Sequence, residues 1–217
     1  MTTPVYMMPG MAANPSIFEY IKLPADKYSV HWLSWKIPEP HESLSAYAGR
    51  MINEITHENP ILIGVSFGGV LVQEMAKQIT CRKVIIISSV KTKYELPRRM
   101  KFSRKLGLYR VAPVGIFTDM RKVAKYAMGE KIKKRMELYQ KYLSVSDPVY
   151  LKWALEQMIC WDQTEAADDL IHIHGTADPV FPYKYINKSI AIKGGTHIMI
   201  ITKCKWFNKN LPKILEN

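Results

Sequence analysis

Apolar residues along this chain fall into two kinds of stretch. Short continuous runs, Val5-Tyr6-Met7-Met8, Ile61-Leu62-Ile63, Val84-Ile85-Ile86-Ile87 and Ile190-Ala191-Ile192, have the length and β-branched content of buried strands. Between them lie stretches with helical spacing. The clearest carries Val70, Leu71, Met75 and Ile79 on one face, with Gln73, Glu74, Lys77 and Gln78 between. The pattern predicts strand 4–8, a short helix over 14–21, strand 28–34, helix 42–57, strand 61–65, helix 67–79 and strand 83–89. A helical insertion then occupies 91–160, followed by strand 170–174, a helix near 183–188, strand 189–192 and a terminal helix 199–215. Strands alternating with helices imply an α/β domain: a mostly parallel sheet of roughly six strands with helices on both faces.

One junction between the two patterns carries chemistry. Gly64-Val65-Ser66-Phe67-Gly68 sits where the run Ile61–Ile63 gives way to the helical stretch. A strand turning this sharply into a helix strains the residue at its apex, and small residues two before and two after let the backbones pass closely. Ser66 is therefore a candidate nucleophile; the plainer alternative is a glycine-rich turn that packs tightly or binds a phosphate. A serine hydroxyl needs a base to take its proton and a carboxylate to orient that base. Ile171-His172-Ile173-His174-Gly175-Thr176-Ala177-Asp178 places Asp178 just past a strand, and Lys193-Gly194-Gly195-Thr196-His197 places His197 just past the next. Asp162, Asp168 and Asp169 precede their strand and make poorer candidates. Ser66, Asp178 and His197 thus lie at strand ends on one edge of the sheet, where parallel α/β folds bind ligands.

With these segments the chain resembles the α/β-hydrolase superfamily from Val5 to the C-terminal helix, 91–161 being the unmatched part. Ser66 fills the place of the elbow serine, Asp178 that of the acid in a His-Gly-x-x-Asp segment, and His197 that of the base in a Gly-Gly-x-His segment. The resemblance implies an oxyanion hole of two backbone N–H groups: that of Phe67, and one from the loop after Val5–Met8. That loop reads Pro9-Gly10-Met11 in place of the usual His-Gly, and because proline cannot donate, Met11 is the expected second donor with Gly10 behind it. Against the superfamily's eight strands this chain lacks the first two. Residues 1–90 and 161–217 would form the core and 91–160 a lid. The implied activity is hydrolysis of a carboxylic ester or thioester through an acyl-enzyme on Ser66, with no cofactor. Lyases, C–C hydrolases and acyltransferases share such a triad, and a non-catalytic binding module on the same scaffold is the remaining alternative.

Charge sharpens the picture of the insertion. The chain carries +12 over 217 residues, and 91–152 alone holds 17 Lys/Arg against 5 Asp/Glu. Ile116, Met120, Val123 and Ala127 share one helical face there, Met136, Tyr139 and Leu143 another, and Pro148 opens a third helix carrying Val149, Trp153 and Met158. A basic lid suits an anionic substrate, an acyl carrier or an anionic membrane surface; the plain alternative is a solvated surface. No nucleic-acid-binding module accompanies the charge. His172 and His174 share one strand face and read as buried, hydrogen-bonded residues, while His31, His41 and His57 show no partner pattern. Cys81, Cys160 and Cys204 suggest no disulfide framework, and no spacing suits a metal. Without a leader-like start or a long apolar stretch, the chain is expected in the cytoplasm.

Overall fold

The computed structural model describes residues 2–111 and 141–216. Six strands form one sheet: β1 (Thr3–Met8), β2 (Tyr28–Trp32), β3 (Ile61–Val65), β4 (Lys83–Ile87), β5 (Ile171–Gly175) and β6 (Ile190–Ile192). Their order is β2-β1-β3-β4-β5-β6, and every neighbouring pair is parallel. Because successive side chains of a strand point to opposite faces, each apolar run feeds two cores. Tyr6, Met8, Leu62, Val84 and Ile86 enter one, beneath α1 (Leu44–Ile52), α2 (Phe67–Ala76) and α4 (Pro148–Cys160). Val5, Met7, Ile61, Ile63, Ile85, Ile87 and Ile173 enter the other, against Ile17, Phe18 and the C-terminal helix α5 (Cys204–Glu216). Burial on both faces explains why the strands read as unbroken apolar runs rather than alternating ones.

Helix ends differ from the sequence expectation where side chains intervene. The stretch 42–57 is helical only over Leu44–Ile52: Ser43 caps its start by accepting from the Ala46 N–H, and beyond Asn53 the Thr56 N–H turns away to the Tyr6 hydroxyl. Residues 14–21 and 183–188 contain single 3₁₀ turns, Pro15–Phe18 and Tyr183–Tyr185, and the terminal stretch divides into one turn, Met199–Thr202, followed by α5. Of the insertion, α3 (Arg98–Leu106) and α4 are described and pack on each other. The expected faces through Ile116, Met120, Val123, Ala127, Met136 and Tyr139 lie outside the described residues. In α4, Asp147 caps the Tyr150 N–H and Pro148 opens the first turn as expected, with Trp153 and Met158 buried. Val149 is instead exposed, because the buried face runs through Tyr150, Leu151, Ala154 and Met158. Among the described residues no helix is long and apolar enough to cross a membrane.

Candidate active site

The turn after β3 is held open by the absence of two side chains. A Cβ on Gly64 would meet the Gly68 carbonyl oxygen at 2.2 Å, and one on Gly68 would meet the Pro9 carbonyl oxygen at 2.3 Å. Backbone atoms cannot yield by that much, so β3, α2 and the loop after β1 meet only if both positions are glycine. Between them Ser66 is driven to φ 54° and ψ −121°, a conformation costly for a residue with a Cβ. It is held there by three hydrogen bonds. Its N–H donates to the Ile87 carbonyl at 2.9 Å, and its carbonyl accepts from the Gly69 N–H at 2.9 Å and the Ser89 hydroxyl at 2.7 Å. Ser66 also occupies the cap position of α2, where a serine hydroxyl ordinarily accepts from the first turn. Its hydroxyl makes no such bond and lies 2.9 Å from His197 Nε2.

The candidate acid and base arrive on two loops that hold each other. The Ala177 N–H donates to the Gly195 carbonyl at 2.9 Å, and the Gly194 N–H to the Thr176 hydroxyl at 2.9 Å. Asp178 is buried at 4% exposure, yet each of its oxygens is used. Oδ1 accepts from the Val180 and Phe181 N–H groups at 2.8 and 3.0 Å, and Oδ2 lies 2.9 Å from His197 Nδ1. A carboxylate can only accept here, so Nδ1 carries the hydrogen and the lone pair of Nε2 faces Ser66. Phe181 packs edge-on against the imidazole, with ring centres 5.5 Å apart. All three sequence-derived candidates therefore meet in one chain of hydrogen bonds.

Behind Asp178 stand the two histidines of β5. His174 Nε2 donates to the Phe181 carbonyl at 2.8 Å, and His174 Nδ1 accepts from His172 Nε2 at 3.1 Å. Burial lowers the pKa of both, and for His172 strongly, so the pair is neutral and supports the acid loop without competing for protons. Asp178 Oδ2 lies 3.6 Å from His174 Nε2, too far to take the hydrogen already given to Phe181.

The residue after the serine, Phe67, and the loop of Gly10 and Met11 offer two further backbone groups. Phe67 opens α2, where an N–H has no partner within its helix, and no hydrogen bond uses it among the described residues. The Met11 N–H is likewise unused among them, and a Cβ built on Gly10 would lie 3.3 Å from Ser66 Cβ. Met8, Phe67, Trp153 and Trp161 belong to the buried core, with Met11 partly buried against it. Sequence reasoning did not find Ser89 or Trp35, and it singled out Arg99, with Arg98, Arg104 and Arg110, only as a cation of the basic lid. Ser89 follows β4 at the same sheet edge, and that position was its only signal. Arg99 of α3 donates to the Pro179 and Val180 carbonyls at 2.9 and 2.7 Å, which ties the insertion to the acid loop. His31 and His57 also gain partners across the sheet: the Tyr6 hydroxyl lies 2.7 Å from His57 Nδ1, and His31 stacks on Tyr6.

No protein-family model matches the chain, and no curated protein does. Solved structures do. A bromoperoxidase from Bacillus anthracis is similar over all of this chain and 93% of its own, at 19% identity and a TM-score of 0.72. An esterase from Exiguobacterium antarcticum is similar over 99% of this chain and 92% of its own, at 17% identity and a TM-score of 0.70. A thermophilic esterase from Thermogutta terrifontis shares 14% identity over all of this chain and 90% of its own, with a TM-score of 0.71. Likeness at this identity is likeness of fold.

Proposed function

We propose that this chain, which has the α/β-hydrolase fold, is a serine hydrolase cleaving a carboxylic ester or thioester through an acyl-enzyme on Ser66. The observation that carries this reading is the continuous relay from Asp178 Oδ2 through His197 to the Ser66 hydroxyl, each link 2.9 Å, on a serine released from capping its helix. Structural neighbours named as esterases support the same class.

In the proposed reaction His197 Nε2 takes the Ser66 proton as Oγ adds to the substrate carbonyl. Asp178 holds the imidazole in register and stabilises its positive charge without taking a proton itself. The Phe67 and Met11 N–H groups receive the oxyanion, each worth roughly 3 kcal/mol in the transition state when preorganised. The protonated His197 then delivers its proton to the leaving alkoxide or thiolate, and the carbonyl re-forms as the acyl-enzyme. Water deprotonated by the same nitrogen hydrolyses that ester and returns Ser66.

Residues 91–160 are proposed as the lid, and the substrate as anionic. The supporting feature is α3: its nine residues include Arg98, Arg99, Lys101, Arg104 and Lys105 with no acid, none is buried, and Arg99 fastens it to the loop of Asp178. Cations beside a cleft raise the rate of capture of anions, and salt screens that gain. The test is turnover of a nitrophenyl ester series, comparing a carboxylate-bearing acyl chain with its neutral counterpart across ionic strength. Turnover abolished in His197→Ala, with kcat/KM falling with salt for the anionic ester alone, is expected. Activity persisting in His197→Ala would overturn the hydrolase reading, and equal salt response of the two esters would overturn the anionic one.

A further inference from the structure

One residue that the triad does not include touches both Phe67 and the peptide that carries the Met11 N–H. Trp35 follows β2, far in sequence from either donor. Its indole Nε1–H donates to the Gly10 carbonyl at 2.8 Å, and its ring stacks on that of Phe67 with centres 5.1 Å apart and planes inclined by 10°.

The first contact acts through the peptide plane. Gly10 C=O and Met11 N–H belong to one planar trans unit and point in opposite directions, so fixing the carbonyl fixes the N–H. The Gly10 carbonyl also accepts from the Ala13 N–H at 3.0 Å, so the indole is the side-chain member of the two donors that hold this peptide plane. The second contact acts through packing. The Phe67 side chain is fully buried, held between Trp35 and the edge of Trp153, so the backbone that follows Ser66 cannot rock without moving both rings.

Trp35 is itself immobilised. The Tyr47 hydroxyl accepts from the Lys36 N–H at 2.8 Å and donates to the Lys36 carbonyl at 3.0 Å, clamping the backbone next to Trp35. Burial raises the Tyr47 pKa to about 12, so the hydroxyl keeps the proton it donates. Tyr150 closes the other flank, its ring centre 5.2 Å from that of Trp35. One side chain, locked on three sides, thus bridges the Gly10 loop and Phe67, which flank Ser66.

We propose that Trp35 is a positioning residue for the oxyanion hole, setting the Met11 N–H by its hydrogen bond to Gly10 and the Phe67 N–H by stacking. This rests on the serine-hydrolase reading. It differs from a merely structural role in what it predicts: a loss confined to the transition state. An oxyanion donor lost outright costs about 10²–10³ in kcat, so misaiming one while retaining it should cost less.

The test uses the full-length chain and Trp35→Phe, which removes the donor to Gly10 and part of the ring area while keeping an aromatic ring against Phe67. Trp206→Phe, the same exchange in the core on the other face of the sheet, where Trp206 packs edge-to-face with Phe207, serves as the packing control. Each is measured for ester kcat and KM, for fluorophosphonate labelling, for thermal midpoint, and for inhibition by an alkyl boronic acid, whose tetrahedral adduct places an oxygen where the oxyanion forms. The expected result for Trp35→Phe is a kcat about ten-fold lower, a KM within two-fold of wild type and a boronate affinity falling in step with kcat, while Trp206→Phe changes neither. A wild type that labels at Ser66 beside a Trp35→Phe variant with unchanged kcat overturns the role of Trp35 alone. So does a loss residing in KM, or one that Trp206→Phe reproduces. A folded wild type that neither labels nor turns over esters overturns the hydrolase reading and this role with it.

Discussion

The carboxyl edge of the central strands and helix α3 use their residues in opposite ways. At the edge, Ser66, Asp178 and the glycines around them have almost no freedom: backbone atoms touch where Cβ atoms would stand, Asp178 is satisfied by three donors, and the strained serine is held by β4, the loop after it and α2. In α3 no residue is buried, Phe102 and Leu106 are 58% and 54% exposed, and the anchors are Arg99 to the acid loop and Arg104 to the Trp161 carbonyl. Strain at a functional position persists only where surrounding packing over-determines it. The molecule therefore concentrates its rigidity where geometry must be kept and presents its charge where adaptability costs little.

The largest effect that separates the two regions is expected from Asp178→Asn. The amide oxygen still accepts from Val180 and Phe181, so the fold survives. Its NH₂ must instead donate to His197 Nδ1, which moves the imidazole hydrogen to Nε2 and removes the base. A fall of about 10⁴-fold in kcat with little change in thermal midpoint is the expected outcome in steady-state kinetics.

Glycine substitutions compare the regions directly. Gly68→Ala drives a Cβ to within 2.3 Å of the Pro9 carbonyl oxygen and should cost about 3 kcal/mol or more in urea unfolding. Gly107 ends α3 in the left-handed conformation, φ 68°, with open space around it, and Gly107→Ala should cost only about 1 kcal/mol. Equal costs would remove the distinction.

The smaller effect concerns pH. Burial holds His172 and His174 below their ordinary value of 6.5, so as pH falls the unfolded chain takes up these protons first. Stability should stay level on their account above pH 6.5 and decline beneath it, by up to about 1.4 kcal/mol per pH unit for each histidine. Urea midpoints from neutral to acidic pH should show a shallower decline in His172→Gln than in wild type. Parallel curves would show that the pair does not carry the linkage.

Much of this arrangement is legible in the chain itself, because its signals are local. Four apolar residues and a glycine, all buried, announce β3, and Ser66, Asp178 and His197 each follow a strand within a few residues, so topology alone brings them to one edge. What the sequence conceals depends on distant partners. Trp35 stands in no periodic pattern, and its meaning comes from Gly10, Phe67 and Tyr47. Nothing near Asn53 foretells that Thr56 will leave helix α1 for the hydroxyl of Tyr6. Val149 has the apolar character of a core residue and misses the core through the phase of α4, which tertiary packing fixes and composition does not.

The most direct test of the central claim, that Ser66 is an activated nucleophile, is intact-mass detection of fluorophosphonate labelling on wild type and Ser66→Ala. One adduct on wild type, blocked by prior incubation with a turned-over ester and absent from a folded Ser66→Ala, is the predicted result. Labelling that survives Ser66→Ala, or a folded wild type that takes no label while a control serine hydrolase does, would contradict it.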